Sequence, residues 1–114
     1  MHDDEGQGGG GYIKALRPLE IFYGDVDPEI AQQAITQLGI QSLAAKIQPL
    51  TQVAWRTIPS TYVVCDADQA IPPFAQEMMA KRAQRVRRMS ASHSPMLSQP
   101  GELAALIREE LLAA

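Results

Sequence analysis

The 114 residues predict an α/β fold, with strand, loop, helix, strand, loop and helix following one another over the second half of the chain. Three observations carry that expectation. The run Thr61-Tyr62-Val63-Val64-Cys65 is β-branched and apolar without alternation, as a strand buried on both faces requires. A helical segment follows it, and Arg85 to Met89 then offers a second short strand, so the connection is long enough for a parallel crossover. A closing helix beginning near Ser98 or Pro100 presents Leu103, Leu106, Ile107 and Leu111 on one side.

Taken in order, residues 1–17 hold the acidic stretch His2-Asp3-Asp4-Glu5 and four consecutive glycines, Gly8 to Gly11. Little apolar surface is available there to offset backbone ordering, so a flexible tail or surface loop is expected. A phosphate-loop reading of the glycines fails, because no strand precedes them and no G-K-[ST] follows. Residues 18–57 form a helical segment. Asp27 suits an N-cap, Pro28 the first helical position and Glu29 the first turn. Ile30, Ala31, Ala34, Ile35 and Leu38 recur at helical spacing, which predicts a helix over 28–38 ended by Gly39. A shorter helix is expected from Ser42 to Ile47, stopped by Pro49.

Ile58-Pro59-Ser60 then makes a turn into the 61–65 strand, and Asp66 to Pro73 forces a loop through its polar residues and two prolines. Pro73 to Ala83 predicts a helix with Phe74, Met78 and Met79 on its apolar face. The strand 85–89 is followed by the loop SASHSPMLSQP.

Composition narrows the function classes. With 46% hydrophobic residues, 20% charged residues and a net charge of −3, the chain has the make-up of an ordinary soluble protein. One cysteine excludes an internal disulfide, and Cys65 inside an apolar run reads as a buried thiol. No run reaches the roughly 18 apolar residues of a membrane span, and an acidic, glycine-rich start is unlike an export signal, so a cytoplasmic protein without membrane contact is expected. Lys81, Arg82, Arg85, Arg87 and Arg88 are half of the ten basic residues. They lack interleaved aromatic rings, which argues for a solvated edge rather than a nucleic-acid surface. No metal site is expected, since neither His2-Asp3-Asp4-Glu5 nor the Asp66, Asp68 pair has further ligands at suitable spacing.

Two ionisable residues stand where chemistry is expected. Asp68 lies in the loop leaving the first strand and His93 in the loop leaving the second, and open α/β sheets bind ligands beyond the carboxyl ends of their strands. Parallel neighbours would bring these loops together, so that a carboxylate orients an imidazole. Asp66 competes with Asp68 for that role and also suits a local turn bond.

The stretches IPSTYVVCDADQAIPP, 58–73, and ASHSPMLSQPGELAALI, 91–107, resemble the α/β-hydrolase superfamily, especially its small esterases and the related hydroxynitrile lyases. The weaker stretch 22–59 is similar to the cap segment of the esterases. The resemblance implies a partial α/β-hydrolase fold, in which 58–114 is the C-terminal part of the core, with the last two parallel strands and flanking helices, and 18–57 is a helical cap remnant. It places the triad acid on Asp68 and the triad histidine on His93. It implies an apolar acyl pocket for which Phe22, Tyr23, Leu50, Ile71 and Met96 are the candidates, a small ester as substrate, and no cofactor.

One departure bears on activity. The G-x-S-x-G elbow that carries the nucleophile of this superfamily does not occur among the 114 residues. Ser90, Ser92 and Ser94 flank the histidine but lack the sharp strand-to-helix turn such a nucleophile needs. Two members of a three-member machine are therefore expected here. An N-terminal hydrolase half, or a second copy covering an open sheet edge, is the expected partner. The competing expectation is a noncatalytic interaction module or a truncated gene product, and hydroxynitrile-lyase-like activity ranks below these.

Overall fold

The computed structural model describes residues 2–5 and 11–113, and the glycines Gly8, Gly9 and Gly10 lie outside the described residues. The second half of the chain follows the expected order. Strand β4 (Thr61–Cys65) and strand β5 (Arg85–Met89) pair in parallel, from Thr61 opposite Arg85 to Cys65 opposite Met89. Helix α4 (Pro73–Ala80) supplies the crossover, and α6 (Pro100–Ala113) closes the chain. The pairing extends beyond the strands: the Asp66 amide donates to the Met89 carbonyl at 3.0 Å and the Ala67 amide to that of Ala91 at 3.0 Å. Those two bonds hold the Asp68 loop and the His93 loop side by side.

Only the carboxyl end of β4 is fully buried. Val64 is 0% exposed and Cys65 is buried, whereas Thr61, Tyr62 and Val63 are half-buried. Among the described residues β5 is the one strand paired with β4, so its other edge has no sheet neighbour to cover it. Met89, Ala91 and Leu106 form a small core with Val63 and Leu103 against it, which explains the placement of α6. Ile107 and Leu111, expected on the same face, are exposed.

The face of α4 differs from expectation. Phe74, Met78 and Met79 are exposed, and Gln76 and Ala80, four apart, are the buried residues. The reason is polar. The Gln76 side chain accepts from the Cys65 amide at 2.8 Å and donates to the carbonyls of Cys65 and Ile71 at 2.9 and 2.8 Å. Backbone groups at the end of β4 are satisfied by that amide, and an unpaired buried amide is costly enough to decide which face turns inward.

The first half is built of shorter pieces. Strands β1 (His2–Glu5), β2 (Gly11–Lys14) and β3 (Gln41–Ser42) form an antiparallel sheet with β2 in the middle. The sequence suggests a loose tail over 1–17, yet Ile13 is 2% exposed in the central strand of this sheet. Pairing with β1 on one side and with β3 on the other creates the strand, and local composition does not report those partners. Helices α1 (Pro18–Phe22), α2 (Pro28–Thr36) and α3 (Leu43–Ile47) follow, with a 3₁₀ turn at Ala54–Arg56. Asp27 caps α2 as its sequence context requires, accepting from the Glu29 amide at 2.9 Å. Ala31 of α2 is fully buried beside Tyr23 and Val26, and Leu97 of the short helix α5 (Pro95–Ser98) packs on this cluster. The 23–31 segment thereby docks on the chain that follows His93.

Three residues of the basic run, Arg85, Arg87 and Arg88, are engaged within the fold. Arg85 pairs with Glu110 at 2.9 Å, Arg87 with Glu109 and Glu110 at 2.6 and 3.2 Å, and Arg88 with Glu77. These contacts tie β5 to α6 and α4. No helix among the described residues is long and apolar enough to cross a membrane.

Candidate active site

Asp68 and His93 meet. His93 Nδ1 lies 2.9 Å from Asp68 Oδ2, across 25 residues of sequence. The carboxylate is 6% exposed and the imidazole 33%. The other oxygen, Oδ1, accepts from the amides of Ala70 and Ile71 at 2.8 and 2.9 Å. With both oxygens occupied, the carboxyl plane is fixed by the turn that carries it. Gln76 ties Ile71 to the end of β4 and braces the same turn from below. Asp66 is exposed and continues the sheet through its amide, so the acid that reaches the imidazole is Asp68.

The histidine loop is equally constrained. Ala91, Ser92, Ser94 and Pro95 are all buried, and His93 between them is the one residue of 91–95 that reaches the surface. Phe22, the last residue of α1, lays its ring against the imidazole, with centroids 5.3 Å apart and planes tilted by 34°. A neutral imidazole that donates to a carboxylate through Nδ1 keeps a lone pair on Nε2, the arrangement a general base requires.

The pocket candidates divide. Phe22 and Ile71 adjoin the pair, Phe22 through its ring and Ile71 through its amide. Phe22 also borders an apolar groove of about 480 Å³, whose walls include Ile13, Pro18, Ile35, Leu38 and Ile40. Tyr23 is part of the core with Val26 and Ala31 and meets Phe22 edge-on at 6.0 Å, because the chain turns inward where α1 ends. Met96 is 55% exposed on α5, and Leu50 is 73% exposed on the coil between α3 and the 3₁₀ turn. Tyr23 thus packs in the core, while Leu50 and Met96 lie on the surface.

Sequence reasoning missed Asp25 and Gln76. The carboxylate of Asp25 accepts from the Ser92 amide at 3.1 Å and from the Ser92 hydroxyl, spanning 67 residues. Burial would raise the Asp25 pKa, but the Ser92 bonds outweigh it and hold the carboxyl below the usual range. In GDVDPEI the capping role of Asp27 accounts for the local acidity, so nothing in the sequence separates Asp25 from a solvated neighbour. Gln76 carried a faint signal: a polar residue midway between Phe74 and Met78, on a helix joining two parallel strands. Among the described residues no three His, Cys, Asp or Glu side chains converge as a metal site.

Residues 3–106 match the model of the alpha/beta hydrolase family. The chain belongs to that family. An alpha/beta hydrolase of Aspergillus novofumigatus, nvfD, is 35% identical over 99 residues, covering 84% of this chain and 40% of the relative. The crystal structure of polyneuridine aldehyde esterase superposes with a TM-score of 0.75 at 19% identity, over 88% of this chain and 43% of the esterase. A mutant of the same esterase gives a TM-score of 0.73 at 18% identity, with the same coverage. This hydrolase-family chain thus spans less than half the length of the relatives it matches, and its parallel pair with flanking helices is a part of their fold.

Proposed function

We propose that this chain contributes the acid and base of a serine ester hydrolase, with His93 as general base and then general acid and Asp68 as the group that orients it. The observation that carries the reading is the 2.9 Å contact between His93 Nδ1 and an Asp68 carboxylate whose other oxygen is already held by two amides. In such a site the imidazole takes the proton of a serine hydroxyl as it attacks the ester carbonyl, then returns it to the leaving alcohol. The carboxylate holds the ring in the required tautomer and stabilises the imidazolium.

The nucleophile and the amides that stabilise the oxyanion come, on this reading, from an N-terminal hydrolase half. The family relatives extend well beyond the matched region, which supports a polypeptide partner of that kind. The unpaired edge of β4 and the exposed Phe74, Met78 and Leu111 give it a surface to cover. The esterase likeness favours a small carboxylic ester as substrate, with Phe22 at the border of the acyl site. A single buried, unpaired cysteine suits a cytoplasmic setting.

The test is hydrolysis of a short-chain aryl ester by the 114-residue chain, alone and mixed with the N-terminal portion of the related nvfD. No turnover alone, and turnover in the mixture that falls by about 10³-fold or more in His93→Ala, is the expected result. Equal turnover by an assembled mixture carrying His93→Ala would sink the assignment.

A further inference from the structure

We infer that Asp25 is a positioning residue for His93, acting through Ser92 to lock the histidine loop against the Asp68 loop. The inference rests on the acid–base reading of the Asp68 and His93 pair and extends it to the segment that precedes α2.

Four contacts converge on residues 92–97 from residues 22–31. Phe22 lies against the imidazole, and Asp25 accepts both the amide and the hydroxyl of Ser92. Gln99 donates to the Ser90 carbonyl at 2.6 Å and reaches the same Asp25 carboxylate at 3.5 Å, so the loop is tied at both of its ends. Leu97 packs on the Tyr23, Val26 and Ala31 cluster. Gly24 lies at this junction: a Cβ there would meet the Ser92 Cβ at an ordinary 3.8 Å and crowd only the Glu20 carbonyl oxygen, at 3.3 Å.

The chemistry explains why the serine needs such a partner. Ser92 is 2% exposed and sits next to the base, and its amide and hydroxyl would lack acceptors inside the loop without Asp25. A carboxylate satisfies two donors at once with charge-assisted bonds. The carboxylate itself is exposed, so no buried charge is created. The backbone torsions flanking His93 are thereby set from one side by Asp25, and the ring is set from the other by Asp68.

The chain contains two histidines, His2 and His93, so His2→Ala leaves one imidazole to observe by ¹⁵N NMR. In that background the His93 Nδ1–H proton should appear downfield and should vanish in Asp68→Ala. Asp25→Ala should speed its exchange with water by about tenfold or more relative to the backbone amides of β4. Ser92→Ala should act in the same direction, and Asp25→Asn, which keeps an acceptor oxygen, should fall between. A merely structural role would slow or speed the β4 amides and the side-chain proton together, which overturns the inference. So does a folded Asp25→Ala or Ser92→Ala chain whose Nδ1–H exchange stays at the parent ratio. A proton indifferent to Asp68→Ala instead removes the pair itself, and the brace with it.

Discussion

The two halves of the chain secure themselves differently. From Thr61 onward, order comes from a parallel pair whose loops are tied by amide, carboxylate and imidazole groups. From Gly11 to Thr57 it comes from a small antiparallel sheet and short helices around one small cluster, with Leu16, Ile40, Ile47 and Leu50 left exposed. The difference teaches where precision is needed. The second half spends its buried polar groups on fixing two loops to within hydrogen-bond reach, whereas the first half touches the site at a single turn. Apolar burial is modest in both, and the geometry of the site rests on saturated polar groups.

The strongest way to break this contrast is Gln76→Leu. The replacement keeps the helix and its approximate volume but strips partners from the Cys65 amide and the Ile71 carbonyl. A loss on the order of 3 kcal/mol is expected in urea unfolding. A loss below about 1 kcal/mol would mean that packing, and not amide satisfaction, holds the acid turn.

Paired truncations sharpen the comparison. Val64→Ala, at a residue 0% exposed, should cost about 1–3 kcal/mol. Leu50→Ala, at a residue 73% exposed, should stay within about 0.5 kcal/mol. Equal costs for the two in the same unfolding assay would show that the first half is packed as tightly as the second.

The smallest effect concerns alkaline pH. Burial first, and then the nearby charges of Asp68, Asp25 and Asp66, push the Cys65 thiol above its ordinary value. Its contribution to stability is complete below the unfolded thiol value of about 8.5 and is lost as pH rises through the folded value. The unfolding midpoint should therefore fall more steeply above that pH in the parent than in Cys65→Ala. Parallel curves for the two would remove the thiol from the account.

The legible parts of the sequence were those whose signals are local. The bounds of β4 follow from β-branched content and from the turns that flank it, and β5 and its parallel pairing follow from its place after the helix. The meeting of Asp68 and His93 was legible because strand ends in such a sheet point to one side. The apolar face of α4 was misjudged, since hydrophobicity ranks Phe74 and Met78 above Gln76 and cannot see the backbone groups that an amide satisfies. Strand β2 was hidden by the glycine-rich composition of residues 1–17 although its partner β1 is close in sequence, and β3 was hidden because its two-residue pairing with β2 is made across distant chain. Asp25 was hidden for the same reason as β3, its partner lying 67 residues away.

That separation also bears on the order of assembly. Ser60 and Gln84, which flank the parallel pair, are 24 residues apart, whereas Asp25 and Ser92 are 67 apart. Closing the larger loop costs about 0.9 kcal/mol more chain entropy than closing the smaller. The crossover unit can thus zip up on its own contacts while the turn after α1 still searches for Ser92. In thermal fluctuation the sequence reverses, and the loop holding the imidazole slackens before the strands beneath it part.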